Sequence, residues 1–214
     1  MESTKEKLLH LAELLQQQLV AVFFLLILWE VFKNYTLSSV GTWHIVLCVF
    51  GYGVCFVEAI LMFTKEGFLR DADRFTRSKY HALWAILGCV SVTVGVALKI
   101  YQKNESNRDH FTSTHGRLGL CAWILTVLVA LVGPIVTYSK KFSHKIRPIW
   151  IKGCHIFLGI AAYVLGIVTL GFGLDYLSAY TGEHGRIALL VFLIVYVSYS
   201  LVRPVLTLFN LFSS

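Results

Sequence analysis

Four histidines stand at corresponding positions in four consecutive apolar segments of the sequence. Each lies near the first residue of its segment, in TWHIVLCVF (His44), KYHALWAILG (His81), THGRLGL (His115) and KGCHIFLG (His155). A single imidazole near a membrane surface is usually a hydrogen-bonded structural residue. Polar groups at membrane depth are expensive, however, and four at matching depth indicate a shared role. Because neutral imidazole is a common metal ligand, the pattern favours metal binding.

The direction of the segments decides which histidines share a site. Consecutive membrane helices alternate in direction, so His44 and His115 are predicted on one side of the membrane and His81 and His155 on the other. Zinc usually takes three or four ligands, often including carboxylate or thiolate. Two axial imidazoles are what a b-type haem requires, and an iron with both axial positions filled carries electrons and does not activate oxygen. The sequence therefore predicts two haem b groups, with irons on the order of 20 Å apart.

The elements that must position these histidines are membrane helices. Of 214 residues, 57% are hydrophobic and only 14% are charged, whereas a soluble domain carries about a quarter charged residues. Six apolar segments are long enough to cross a bilayer: residues 17–33, 43–63, 80–101, 115–138, 153–174 and 186–209. We expect an all-α integral membrane protein with six transmembrane helices, in which helices 2–5 form a four-helix bundle around the two haems. The predicted organisation is a cytoplasmic N-terminal segment (1–16), a membrane domain (17–209) and a cytoplasmic tail (210–214).

Lysine and arginine counts predict the orientation, because these residues concentrate in cytoplasmic loops. With six spans both chain ends lie on the same side, and that side carries thirteen of these residues against six on the other. Both termini are therefore predicted to be cytoplasmic, in a multi-pass protein of an endomembrane (ER or vesicle) or of the plasma membrane. The net charge of +7 follows from the cytoplasmic loops and requires no nucleic-acid partner.

The segments around the four histidines resemble the cytochrome b561 family of six-span, di-haem transmembrane reductases. The similarity covers about residues 20–210 and is carried by the WH at the start of the second span and by HALWAILG, HFTSTHGRLG and GCHIFLGIAAYVLG. The short termini and the HFxSxHG motif are most similar to the small animal branch of transmembrane ferrireductases. The resemblance implies four haem ligands, His44, His81, His115 and His155. It also implies cytosolic ascorbate as the electron donor, monodehydroascorbate radical or a ferric chelate as the acceptor, and a homodimer.

Members of this family bind ascorbate at basic residues just before the histidine of the third span. The matching stretch here is RDADRFTRSKYH, which offers Arg70, Arg74, Arg77 and Lys79, and Lys152 is predicted on the same side. Ascorbate and the haem propionates are anions, and both are attracted to cations beside the positive end of a helix. The alternative is that these residues only set the topology.

On the opposite side, His110, Phe111, Ser113 and Thr114 immediately precede His115 and are predicted at the second substrate site. An imidazole there would accept the proton that accompanies ascorbate chemistry, and Lys103, Arg108 and His184 would add positive charge. Glu58 is an acid inside the second span, 14 residues after His44 and within about 40° of the same helix face. It either contacts the cytoplasmic haem pocket, pairs with a loop Lys or Arg, or snorkels to the membrane surface.

Two other functions remain open from the sequence. A di-haem anchor subunit of a larger redox complex would share the histidine pattern, although the loops on the acceptor side offer little surface for a partner. A transporter of protons or small solutes would also use intramembrane histidines, but transporters more often contain helices broken by glycine or proline near the midplane. The three prolines of this chain, Pro134, Pro148 and Pro204, all lie toward the ends of helices.

Overall fold

The computed structural model describes residues 3–64, 69, 71–138 and 147–213, without the side chains of residues 5 and 6. All regular structure in these ranges is helical. The helices are α1 (Thr4–Asn34), α2 (Val40–Val49), α3 (Phe56–Leu61), α4 (Arg74–Glu105), α5 (Thr114–Thr137) and α6 (Pro148–Phe212). A π-helical segment, Phe50–Cys55, joins α2 to α3, so residues 40–61 form one continuous rod.

Five helical stretches are long and apolar enough to cross a membrane: residues 7–34, 40–61, 74–105, 114–137 and 148–212. Large apolar side chains cover their outer faces, for example Leu131 at 67% exposure and Phe209 at 71%. An exposed apolar surface of this extent is stable in contact with lipid and not with water. The prediction of an all-helical, multi-pass membrane protein is confirmed at this level.

The 65-residue α6 reverses direction at Gly182. The φ and ψ angles of Gly182 are 68° and 175°, a combination open essentially to glycine alone. Residues 148–181 and 183–212 therefore form two antiparallel arms, here called the first and the second arm, which contain the predicted spans 153–174 and 186–209. Three pairs join the arms along their length: Asp175 with Arg186 (3.0 Å), Tyr163 with Ser200 (3.3 Å) and the rings of Trp150 and Phe212 (5.2 Å between centroids).

Helix α1 begins well before the apolar segment that predicted it. Residues 4–16 continue the same helix because their polar side chains find partners within the fold. Glu13 is 4% exposed and accepts hydrogen bonds from Thr64 (3.0 Å) and Tyr199 (3.2 Å). Gln16 is 2% exposed and donates to the carbonyl of Tyr196 at 2.7 Å. These contacts fix α1 against the second arm. The cytoplasmic location of residues 1–16 remains a prediction.

The centre of the molecule is built around Tyr52 in the π-helical segment. Its hydroxyl shares a hydrogen bond with Thr126 of α5 at 2.9 Å, and its ring packs directly on the backbone of Gly166 in the first arm. On the other side of the rod, Gly51 lies so close to α4 that an added Cβ would stand 2.5 Å from Val92. Glycine therefore permits the rod, α4, α5 and the first arm to pack closely.

Candidate functional site

The structure brings the four predicted histidines together as two pairs. His44 of α2 faces His115 of α5, with ring centroids 6.2 Å apart and planes at 85°. His81 of α4 faces His155 of the first arm, with centroids 6.3 Å apart and planes at 75°. These are the pairs that the alternating helix directions predict.

The two pairs lie at opposite ends of the helical bundle. His44 hydrogen-bonds to the carbonyl of Gly95, which is 14 residues after His81 on the same helix. His115 bonds to the carbonyl of Thr169, which is 14 residues after His155 on the first arm. Since an α-helix rises 1.5 Å per residue, each interval corresponds to about 21 Å along the helix.

Backbone carbonyls set the tautomer of three of the imidazoles. The Nδ1 atoms of His44, His81 and His115 lie 2.9, 2.8 and 3.0 Å from the carbonyl oxygens of Gly95, Ala59 and Thr169. A carbonyl oxygen only accepts hydrogen bonds, so each Nδ1 carries the proton and each Nε2 keeps a free lone pair. This is the arrangement by which proteins orient a histidine for metal ligation.

His155 differs from the other three. Its Nδ1 is buried and has no hydrogen-bond partner among the described residues. The ring lies beside Gly133 of α5, where an added Cβ would stand 3.9 Å from His155 Cε1. A buried polar atom without a hydrogen-bond partner is uncommon in native proteins and indicates either strain or a site for a bound group.

The geometry of both pairs fits a metal ion held between two imidazoles. With metal–nitrogen distances of about 2 Å, two rings that share one ion have centres about 6 Å apart, close to the observed 6.2 and 6.3 Å. In the part of the chain that the structure describes, no group of three or more His, Cys, Asp or Glu side chains is arranged to hold a metal. The residues present therefore fit two bis-imidazole haem sites.

The basic residues predicted for the ascorbate site surround the first turn of α4. Asp73 caps this helix by accepting the N–H of Thr76 at 2.8 Å, and that bond holds the pKa of the Asp73 carboxyl below its usual range. Arg74 begins the helix and lies close enough to Lys152 of the first arm for the two charges to interact. Arg74 and Lys152 thus come together at the end of the bundle that holds His81 and His155.

The other residues of that prediction are placed differently. Arg77 donates from Nε to the carbonyl of Ala72 at 3.1 Å, and Lys79 lies over the ring of Phe75 at 4.4 Å from its centroid. Both cations are thus held against α4 and the loop before it. Arg70 lies outside the described residues.

At the opposite end, the loop between α4 and α5 surrounds a polar pocket of about 260 Å³. Within it, His110 Nε2 lies 2.8 Å from Asn104 Oδ1, and Lys103 donates to the carbonyl of Asp109 at 2.5 Å. The pocket is lined by Lys103, Asn104, Asn107, Arg108, Asp109 and His110. Two predicted cations, Lys103 and Arg108, and the predicted imidazole of His110 therefore meet here, in the loop that leads to His115 at the start of α5.

The remaining residues predicted at this end have structural roles. Ser113 is the N-cap of α5 and accepts the N–H of Gly116 at 3.1 Å. Phe111 has a φ angle of 54° and stacks loosely on His110, with ring centroids 5.9 Å apart. Thr114 is the first, exposed residue of α5. Together they shape the loop that presents His110.

The structure directs Glu58 toward α1, where its Oε2 accepts a hydrogen bond from Gln17 at 3.2 Å. The π-helical segment lies between His44 and Glu58 and contains more residues per turn than an α-helix. Each extra residue in a turn rotates the side chains that follow it by about 100° around the helix axis. His44 and Glu58 therefore do not share the helix face that uniform α-helical spacing predicts for them.

Two features near the histidines escaped prediction. Gly173 faces His115, and an added Cβ there would stand 3.3 Å from the imidazole. Lys99 of α4 lies close enough to His44 and His115 for its charge to act on both rings. Lys99 follows Gly95 by four residues, the spacing that places two residues on the same helix face. Knowledge that the Gly95 carbonyl contacts His44 would therefore have identified Lys99 as a neighbour of the pair.

Comparison with known proteins agrees with this geometry. Residues 43–181, which include all four paired histidines, match the family described as eukaryotic cytochrome b561. The chain is 30% identical over 142 residues to transmembrane reductase CYB561D2 of Mus musculus and 28% identical over 142 residues to that of Homo sapiens. It is 26% identical over 138 residues to probable transmembrane reductase CYB561D1 of Mus musculus.

These alignments cover 64% of this chain and 62%, 62% and 60% of the three relatives, so the chain spans about three-fifths of their length. The relatives belong to the small animal branch that the short termini and the HFxSxHG motif predicted. On the family match over residues 43–181, the chain belongs to the eukaryotic cytochrome b561 family.

Proposed function

We propose that this protein transfers electrons across a membrane, from cytosolic ascorbate to monodehydroascorbate radical or a ferric chelate on the other side. The observation that carries the proposal is the presence of two imidazole pairs, each with centroids 6.2 or 6.3 Å apart, at opposite ends of one bundle. Two bound b haems would supply one-electron carriers near each membrane surface. The similarity to proteins named transmembrane reductases supports the same conclusion.

In this proposal His44 and His115 hold the haem on the non-cytoplasmic side, and His81 and His155 hold the cytoplasmic one. The chain crosses the membrane six times, because the two arms of α6 count as separate spans. Both termini are then cytoplasmic, in an endomembrane or the plasma membrane, and the protein acts as a homodimer. About 21 Å of helix separates the carbonyl that orients a histidine of one pair from a histidine of the other pair. This distance is shorter than the hydrocarbon core of a bilayer, about 30 Å.

The basic residues at each end of the bundle would attract anions. Arg74 and Lys152, supported by Arg77 and Lys79, would bind the ascorbate monoanion beside the N-terminus of α4, where the helix dipole adds positive potential. At the opposite end, His110 would exchange a proton with the acceptor, and Lys103 and Arg108 would attract an anionic chelate.

Absorbance spectroscopy of the purified protein tests the proposed function. We expect two b-type haems per chain, with bis-imidazole spectra, and reduction of both by ascorbate as well as by dithionite. A transporter with unliganded histidines would bind no haem. A haem protein that dithionite reduces and ascorbate does not would exclude ascorbate as the donor.

Reversal of charge at Arg74 and Lys152 is expected to slow reduction by ascorbate about tenfold at low ionic strength, because two attractive charges become repulsive. The difference from wild type should shrink as salt is added, since salt screens exposed charges. Stopped-flow absorbance measures the rate for Arg74→Glu/Lys152→Glu. Dithionite reduction of both haems provides the control for an intact site.

The reversal Lys79→Glu should have a smaller effect, because the Lys79 amine is held over Phe75. Equal rates in wild type and the Arg74/Lys152 variant, at all salt concentrations, would mean that these cations only set the topology.

Charge reversal on the other side should affect the opposite step. Lys103→Glu/Arg108→Glu is expected to leave haem reduction by ascorbate unchanged and to slow reoxidation by an anionic ferric chelate about tenfold. Stopped-flow absorbance with pre-reduced protein and ferric citrate measures this step. If the variant instead slowed reduction by ascorbate, the assignment of the two ends would be reversed.

A further inference from the structure

Lys99 is a half-buried amine near the C-terminal end of α4, and it has no acidic partner among the residues that the structure describes. Its Nζ donates to Gln102 Oε1 at 2.9 Å. Both ion pairs found within residues 3–64, 69, 71–138 and 147–213 belong to Arg186, and neither includes Lys99. A charged amine taken partly out of water is costly unless an anion compensates it.

The position of Lys99 relates it to one histidine pair. It lies one helical turn beyond Gly95, whose carbonyl oxygen orients His44, and residues four apart share a helix face. Its charge reaches both His44 and His115. The amine therefore lies near the His44–His115 pair, one helical turn from the carbonyl that orients His44 and toward the C-terminal end of α4.

The surroundings make the need for an anion greater. Lys103 and Arg108 are close enough to Lys99 to repel it. The Gln102 amide packs against Gly41 at the start of α2, where an added Cβ would stand 2.8 Å from Gln102 Nε2. The amide thereby holds the Lys99 amine near the first turns of α2. A carboxylate beside the histidine pair would complete this site.

We propose that Lys99 binds a carboxylate of the porphyrin held between His44 and His115. This inference rests on the proposed function, which supplies the haem. The porphyrin is favoured over a carboxylate of the acceptor because Lys99 acts on both imidazoles, whereas the acceptor pocket is lined by Lys103 and residues that follow it and does not include Lys99. Lys99 is thus a positioning residue, which would hold the porphyrin in one orientation between His44 and His115.

Binding of two porphyrins that differ only in their carboxylates tests the inference. The full chain with His81→Ala and His155→Ala, produced without haem and placed in lipid nanodiscs, retains one site. It is titrated with ferric protoporphyrin IX and with its dimethyl ester, and absorbance reports binding. We expect the ester to bind this chain about tenfold more weakly than the free acid, the typical effect of losing one charged hydrogen bond.

The substitution Lys99→Met should weaken binding of the free acid about tenfold and leave binding of the ester unchanged, which would also show that the variant is folded. Lys99→Arg should keep the preference for the free acid. Lys33→Met, which removes a cation from the last turn of α1, should keep it too.

Three results would overturn the inference. In the first, the free acid and the ester bind the parent chain equally well. In the second, Lys99→Met weakens binding of both equally, as a general packing defect would. In the third, Lys99→Met keeps the preference for the free acid and instead slows reoxidation of the bound haem by ferric citrate, which would assign Lys99 to the acceptor. Failure of the parent chain to bind either porphyrin would instead contradict the proposed function itself.

Discussion

Substitution of either histidine of one pair is expected to remove one haem and leave the other. His44→Ala and His115→Ala should each abolish the component of the non-cytoplasmic haem, and His81→Ala and His155→Ala should each abolish the cytoplasmic one. The reason is geometric, since each pair shares one site and about 21 Å of helix separates His81 from the Gly95 carbonyl that orients His44. Haem content and reduced-minus-oxidised spectra of the four variants measure the effect, with a fall from two haems to one.

The control is His184→Ala, an exposed histidine next to the reversal of α6, which should keep both haems. The pairing would be wrong if His44→Ala and His81→Ala removed the same spectral component. Loss of both haems in every variant would mean that the two sites fold as a unit, and single-site occupancy would then have to be tested by adding imidazole to fill the vacant ligand position.

Gly166→Ala is expected to destabilise the protein by about 1–3 kcal/mol, the usual cost of overpacking a core. A methyl group at this position would overlap the ring of Tyr52, which Thr126 holds through its hydroxyl. Thermal unfolding in detergent measures the change. Gly171→Ala is the matched control on the same arm, because the nearest described atom to its added Cβ would be in Leu190 at 3.6 Å, an ordinary contact.

A second substitution separates this packing effect from a general effect of alanine. Tyr52→Leu removes the ring and should recover most of the stability that Gly166→Ala loses, so the two substitutions should be strongly non-additive. Additive losses would show that the close contact between Tyr52 and Gly166 is not what limits stability.

The positions of the helices and the pairing of the histidines follow from local patterns. Apolar length identifies the segments around residues 43–63, 80–101 and 115–138, and alternating direction pairs His44 with His115. The structure departs from these patterns where residues that are distant in the sequence contact each other. Helix α1 extends to Thr4 because Thr64, Tyr196 and Tyr199 satisfy its buried polar side chains.

The details around the histidines depend on contacts between helices that no local pattern contains. The carbonyl oxygens that orient His44 and His115 belong to Gly95 and Thr169, more than 50 residues away along the chain. The π-helical segment, which turns Glu58 away from the face of His44, depends on how Gly51 and Tyr52 pack against α4 and the first arm. Spacing alone assumes uniform α-helix and misses this rotation.

Electron transfer through a sealed bilayer is what the proposed function requires of the whole protein. Vesicles that contain the purified protein are loaded with ascorbate, and membrane-impermeant ferric citrate is added outside. We expect ferrous iron to form outside with the wild-type protein and not with His81→Ala or His115→Ala, each of which interrupts one site. Equal rates of iron reduction in wild type and both variants, or reduction only when ascorbate is also outside, would contradict transfer across the membrane through the two histidine pairs.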